Sequence, residues 1–139
     1  MLIRSVRDIL GDRELPLVTQ DMTIRAAAEV LDHFNVGAVV VLDGGRLVGI
    51  LSERDIIRRC IAQGADPVIS LVTEAMTPAP ATVAANDGVA EAFARMTDGH
   101  FRHLPVMEGT RCIGLLSVRD VPTEYRMMHE RFQEMRRGN

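Results

Sequence analysis

A serine followed three residues later by an aspartate stands at the end of an apolar run twice in this chain. The first pair is Ser52 and Asp55, and the second is Ser117 and Asp120, 65 residues further on. A strand that delivers a hydroxyl and a carboxylate to the start of a helix can form a small-ligand site. Because a carboxylate accepts hydrogen bonds from two adjacent hydroxyls, the pair suits a vicinal diol such as that of a ribose.

The same residues also have a purely structural interpretation. Aspartate is a common N-cap, and we expect Asp55 to cap a helix that runs to about Gln63. Serine hydroxyls satisfy turn amides in a similar way. However, both polar groups are kept in both copies while a residue between them changes from Glu53 to Val118. That pattern favours the ligand interpretation.

An internal duplication explains why the pair recurs. Residues 24–56 align with residues 89–121 without a gap, and nine positions are identical. Each half has about 60 residues, a size at which a core of its own is marginal. We therefore expect an α+β fold in which two halves pack sheet against sheet about a pseudo-twofold axis. The boundaries that we assign are residues 1–64, residues 65–123 and a helical tail, residues 124–139.

Hydrophobic patterning predicts the order β-α-β-β-α in each half. In the first half it predicts a short helix at residues 5–10, strands at 15–19, 38–42 and 47–51, and a helix that begins at Thr23. The tail carries a heptad-like stripe on a helix that ends near Arg137. This stripe packs either on its own domain or on a second chain, and its length favours the second chain. Its members are Val121, Tyr125, Met128, Phe132 and Met135.

Composition excludes several classes of protein. Apolar residues make up 47% of the chain and aromatic residues 4%, which predicts a folded domain with an aliphatic core. The net charge of −3 argues against an electrostatic nucleic-acid binder. No apolar stretch is long enough for a membrane span, and we expect a cytoplasmic protein with Cys60 and Cys112 as buried thiols. No nucleophile–base pair and no metal-ligand spacing is present, so we expect neither an enzyme nor a metal site.

The repeated motif resembles that of the cystathionine-β-synthase (CBS) domains, in which a glycine precedes Ser/Thr-x-x-Asp after the third strand. The resemblance extends to the helix start at residues 21–24 and to the strand at residues 103–106, and it covers residues 1 to about 123. Two copies with the same element order make it specific. The motif stands here as Gly49…Ser52…Asp55 and as Gly114…Ser117…Asp120.

This resemblance implies a non-catalytic regulatory module that binds an adenosine ligand in the cleft between the repeats. The ligands of the family include AMP, ADP, ATP, S-adenosylmethionine and NAD-type molecules, and its modules often form homodimers. Carried over by position, the motif residues would hold the ribose and the nearby phosphate, and the first-strand backbone would contact adenine. The resemblance thus nominates Ser52, Asp55, Ser117, Asp120 and the segments around Thr19 and Thr82. A regulated partner protein would read the change in shape.

Arg102 and His103 are the candidate phosphate-binding residues. They resemble a His-Arg-Leu-Pro-Val stretch of nucleotide-sensing CBS proteins, with the two cations in reversed order. Arginine binds phosphate through a bidentate fork, and histidine adds a charge that is tunable near neutral pH. Alternatively, Arg102 pairs with an acid such as Asp98 at a solvated strand edge. The first half has Gly37 and Ala38 at these positions, so we expect one dominant nucleotide site or two unequal ones.

A second hypothesis for the whole chain has no ligand. In it, the motif aspartates only cap helices, and the apolar stripe of the tail drives assembly of a purely structural interaction domain. The two hypotheses differ in whether an adenosine compound stabilises the protein.

Overall fold

The protein is described here by a computed structural model that covers residues 3–138, and the chain folds into two small sheets covered by helices. Both halves follow the β-α-β-β-α order that the sequence predicts. The elements are α1 (Val6–Leu10), β1 (Leu17–Thr19), α2 (Ile24–Phe34), β2 (Ala38–Asp43), β3 (Arg46–Ser52), α3 (Glu53–Ile56), β4 (Thr77–Pro78), β5 (Val83–Ala84), α4 (Val89–Gly99), β6 (His103–Glu108), β7 (Arg111–Ser117) and α5 (Thr123–Arg137).

The two sheets have matching topology. One has the strand order β1-β2-β3-β4 and the other β5-β6-β7. In each, the first strand is parallel to the second, and the second pairs with the third in an antiparallel hairpin. Strands β3 and β7 are in contact, so the sheets meet at the strands that end in the motifs. This arrangement confirms the predicted α+β fold of two packed repeats with a helical extension.

The two hydrophobic cores do not coincide with the two halves of the sequence. Val6 and Leu10 of α1 are buried in the core of the second repeat. Val72 and Ala75, which follow the linker, are buried in the core of the first repeat. Backbone bonds support the exchange, because the amide of Val6 donates to the carbonyl of Asp87 at 3.0 Å. Each repeat is therefore completed by a short segment that precedes the other one.

The helix after each motif begins differently from the prediction. Ser52, and not Asp55, is the N-cap of α3, and Asp55 is the third residue of a capping box. The prediction of Asp55 as the N-cap was therefore wrong. Helix α3 continues as a π-helical turn over Ile57–Ile61. After the second motif, a 3₁₀ turn over Val118–Asp120 ends in extended backbone, and α5 begins only at Thr123.

Helix α5 contacts its own domain through some side chains and leaves neighbouring apolar side chains exposed. The His129 ring meets the Phe93 ring of α4 edge to face at 5.2 Å, and the Tyr125 hydroxyl donates to the Ile3 carbonyl at 2.6 Å. Met128 and Phe132, by contrast, keep 58% and 57% of their surface exposed. The helix thus packs on its own domain and still presents apolar side chains outward. None of the helices within residues 3–138 has the length and apolar character needed to span a membrane.

Candidate functional site

Two cavities flank the contact between the repeats, and each combines the motif of one repeat with loops of the other. The Asp55 cavity has a volume of about 360 Å³. Its lining comprises Gly37, Ile50, Ser52, Glu53, Arg54, Asp55, Thr77, Pro80, Ala81, His100, Phe101, Arg102 and His103. The Asp120 cavity has a volume of about 440 Å³. It is lined by Arg13, Pro16, Asn35, Val36, Gly37, Ala38, Glu53, Arg102, His103, Leu115, Ser117, Arg119 and Asp120.

The capping box in the Asp55 cavity leaves ligand-binding groups open. The Ser52 hydroxyl oxygen accepts from the Asp55 amide at 3.0 Å, and Asp55 Oδ2 accepts from the Ser52 amide at 3.0 Å. Because a hydroxyl is also a donor, the Ser52 hydrogen remains available. Asp55 Oδ1 makes no hydrogen bond or ion pair with any of residues 3–138. Capping and ligand binding are therefore compatible roles for these two side chains.

The cations of the second repeat face the motif of the first repeat. His100 ends α4 in the left-handed conformation, and the next three residues line the cavity together with Ser52 and Asp55. The carbonyl of Arg102 accepts from the Val118 amide at 2.9 Å, which anchors this loop to its own repeat. From the sequence, Arg102 and His103 were assigned to a phosphate site in the second half. Instead, they line both cavities, and the whole loop belongs to the lining of the Asp55 cavity.

The guanidinium of Arg102 is exposed and forms no ion pair with another described residue, including Asp98. The alternative in which these two side chains pair at a strand edge is therefore wrong. An arginine without a carboxylate partner retains its full capacity to bind a phosphate bidentately.

The surroundings of His103 favour its neutral form in the ligand-free protein. Burial lowers the pKa of His103 below its ordinary value, and the nearby charge of Arg102 lowers it further. The carboxylates of Asp120 and Glu53 oppose this shift without reversing it. A bound anion would oppose this shift and favour the charged imidazolium.

In the Asp120 cavity, the motif side chains of the second repeat are already hydrogen-bonded within the protein. Asp120 Oδ2 accepts from the Ser117 amide at 2.8 Å, and Asp120 Oδ1 accepts from Arg13 Nη1 at 3.0 Å. The Ser117 hydroxyl accepts from the Arg119 amide at 3.2 Å. Across this cavity, Gly37 and Ala38 provide no charge. The two sites therefore differ in their free carboxylate oxygens, whereas Arg102 and His103 line both of them.

Thr19 and Thr82, the two nominated first-strand residues, line neither cavity. The Thr19 hydroxyl donates to Asp21 Oδ1 at 2.6 Å, and the Thr82 carbonyl accepts from Arg95 at 2.7 Å. Residues just before these strands do line the cavities, namely Pro16 in one and Pro80 and Ala81 in the other. Pro16 and Ala81 are 65 residues apart, so the spacing of the repeats could have identified them as equivalent positions.

Glu53 is a lining residue that the repeated motif does not single out, because the second repeat has Val118 at its position. It lies at the edge of both cavities and adds a negative charge to each. Cys60 and Cys112 are buried free thiols, as predicted. Within residues 3–138, no three His, Cys, Asp or Glu side chains cluster as metal ligands would.

Comparison with known proteins adds independent information. The family model for the CBS domain matches residues 6–62 and 72–123. The chain is 36% identical over 126 residues to the mitochondrial CBS domain-containing protein CBSX3 of Arabidopsis thaliana, which corresponds to 87% of this chain and 60% of that protein. It spans 18% to 60% of the lengths of three such curated relatives.

Two similar solved structures are matched over nearly their full length. A CBS-domain-containing protein from Agrobacterium tumefaciens is 35% identical with a TM-score of 0.79, over 90% of this chain and 95% of that one. A CBS domain protein from Pyrobaculum aerophilum, solved in complex with AMP, is 29% identical with a TM-score of 0.80, over 91% and 96% of the two chains.

Proposed function

Because the chain belongs to the CBS domain family and carries two of its repeats in tandem, we propose that it is a non-catalytic regulatory module that binds an adenine nucleotide between them. The observation that carries the proposal is the open Oδ1 of Asp55 opposite the loop that contains Arg102. The carboxylate suits the ribose diol, and the guanidinium suits a phosphate. The similar structure from Pyrobaculum aerophilum, which holds AMP, supports the choice of ligand.

The exposed guanidinium of Arg102 favours phosphorylated ligands over S-adenosylmethionine. Arg102 has no ion-pair partner among residues 3–138, so it can bind a phosphate, whereas it would repel a sulfonium cation placed beside it. AMP, ADP, ATP and dinucleotides of the NAD type all supply a phosphate near the ribose. A volume of about 360 Å³ is within the range of small-ligand pockets. Binding would join the two repeats, and a partner protein would respond to that state.

We expect adenine nucleotides to raise the melting temperature of the full chain. A ligand present at about 100 times its dissociation constant stabilises the folded state by about 2.7 kcal/mol. A thermal-shift panel of AMP, ADP, ATP, NADH and S-adenosylmethionine measures this directly. Phosphorylated compounds should raise the melting temperature by several degrees, and S-adenosylmethionine should raise it less. A panel in which no compound has an effect would contradict the proposal.

The pH dependence of binding gives a second readout of the same site. A phosphate beside His103 would raise the pKa that burial lowers in the free protein, so binding takes up a proton. Affinity should therefore increase as the pH falls through the raised pKa of the bound state. Above about pH 6.5 a nucleotide phosphate stays mostly dianionic, because its second pKa is near 6. Adenosine, which has no phosphate, is the matched control and should show no such dependence.

We also propose that the module is a homodimer whose contact includes the exposed face of α5. Met128 and Phe132 form its apolar surface, while Tyr125 and His129, on the adjacent part of the helix, hold it to the domain. Exposed apolar side chains at helical spacing are typical of a docking surface. The same face favours the second candidate function, a purely structural interaction domain. The two candidates are distinguished by the nucleotide panel, because only the first predicts stabilisation.

Replacing both Met128 and Phe132 with glutamine is expected to convert the dimer to a monomer. The loss of apolar contact weakens association, whereas both side chains are exposed and contribute little to the fold. Light scattering coupled to size-exclusion chromatography measures the mass. Glu130→Gln on the same helix is the control and should remain dimeric. A wild-type chain that is monomeric at all concentrations would show that α5 has another role.

The absence of catalysis and a cytoplasmic location are parts of this proposal. The location is supported by the two buried free thiols, which are typical of a reducing compartment.

A further inference from the structure

Arg13 joins two parts of the molecule that the site depends on. It follows α1, and its guanidinium contacts the end of that helix through the carbonyls of Leu10 at 3.4 Å and Ile9 at 3.3 Å. Its Nη1 donates to Asp120 Oδ1 at 3.0 Å. About half of the Arg13 side chain is exposed, whereas the Asp120 side chain is only 20% exposed. The arginine thus lies over the carboxylate from the solvent side.

This contact uses the one oxygen of Asp120 that the capping box leaves open. In the other cavity, the equivalent oxygen of Asp55 has no partner among residues 3–138. The difference has a cause in the sequence, because 65 residues after Arg13 the chain has Pro78, which has no side-chain donor. The second half of the chain therefore has no arginine at the position equivalent to Arg13.

We propose that Arg13 is a latch that reserves the Asp120 carboxylate in the free protein. An adenine nucleotide then fills the Asp55 cavity first, and it enters the Asp120 cavity only when the guanidinium leaves Oδ1. The latch rests on the proposed function, since it concerns the second of the two nucleotide sites. Release needs only a side-chain rotation, because α1 itself is fixed by Val6 and Leu10 in the second core.

The competing role for Arg13 is that of a phosphate-binding residue in the Asp120 cavity. The two roles predict opposite effects when the arginine is removed. A latch competes with the ribose for Oδ1, so its removal tightens binding. A phosphate ligand contributes to binding, so its removal weakens it. Half-exposed ion pairs are modest in strength, and we expect a latch to reduce affinity roughly two- to fivefold.

The test measures AMP binding to the full chain by isothermal titration calorimetry. Asp55→Ala isolates the Asp120 cavity, and Arg13→Gln is then added to it. The double variant should bind AMP roughly two- to fivefold more tightly than Asp55→Ala alone. Adding Asp120→Asn should abolish that gain. Equal or weaker binding in the double variant would overturn the latch.

Arg7→Gln is the matched control, because Arg7 lies on the same helix and pairs with Glu108 of the second repeat away from both cavities. Its effect on AMP binding in the Asp55→Ala background should be nil, so a gain equal to that of Arg13→Gln would also overturn the latch. AMP binding to the wild-type chain distinguishes failure of the proposed function from failure of the latch. If it does not bind AMP at all, the proposed function fails; if it binds and Arg13→Gln brings no gain, only the latch fails.

Discussion

Replacing Asp55 with alanine is expected to remove most of the stabilisation that an adenine nucleotide gives this protein. The variant loses the carboxylate oxygen that faces the cavity, and hydrogen bonds to a charged group contribute about 1.5–3 kcal/mol each. Affinity at the Asp55 cavity should fall at least tenfold. What remains should come from the Asp120 cavity, where Arg13 occupies the equivalent oxygen. Calorimetry with AMP and the shift in melting temperature both measure this loss.

The control must account for the helix cap that Asp55 also provides. Asp8→Ala is that control, because Asp8 forms the same kind of capping box. Its Oδ2 accepts from the Ser5 amide at 3.0 Å, and Ser5 Oγ accepts from the Asp8 amide at 3.3 Å. Asp8 lines neither cavity. Asp8→Ala should lower the melting temperature of the free protein by an amount similar to Asp55→Ala and leave nucleotide binding intact. If Asp55→Ala behaves like Asp8→Ala in both respects, Asp55 is only a cap.

The fold could be predicted from the sequence because the chain repeats itself. The duplication predicted two β-α-β-β-α units, and the paired registers of Ala38 with Ser52 and His103 with Ser117 confirm that the hairpins are equivalent. The helix cap was predicted wrongly for an identifiable reason. Serine and aspartate three residues apart form a capping box, in which the serine is the N-cap and the aspartate the third helical residue.

The composition of each cavity could not be predicted, because it depends on how the repeats pack. The sequence places Arg102 and His103 beside the second motif, and β-sheet pairing indeed sets His103 opposite Ser117. The same loop nevertheless crosses to the Asp55 cavity, since the sheets meet at the strands that carry the motifs. Hydrophobic patterning also does not predict in which of two similar cores a given helix is buried. The position of α1, and with it that of Arg13, follows only from the fold.

Substitution of Leu10 with alanine is expected to destabilise the second repeat, although Leu10 belongs to the first half of the sequence. Its side chain is buried with Val106 and Leu116 in the second core. It also packs on Gly114, where an added Cβ would lie 2.6 Å from Leu10 Cδ1. Removing it should cost about 2–4 kcal/mol in the free energy of unfolding, the usual range for a buried leucine. Urea unfolding measures the total cost.

Hydrogen exchange read by mass spectrometry assigns that cost to one repeat. Amides of β6 and β7 should lose protection in Leu10→Ala before those of β2 and β3, because the cavity opens in the second core. Leu17→Ala is the matched control, since Leu17 is 40% exposed on β1 and its loss should cost less than about 1 kcal/mol. Loss of protection confined to β2 and β3 would contradict the exchange of segments between repeats. Since the same helix ends beside Arg13, loosening α1 should also weaken the latch on Asp120.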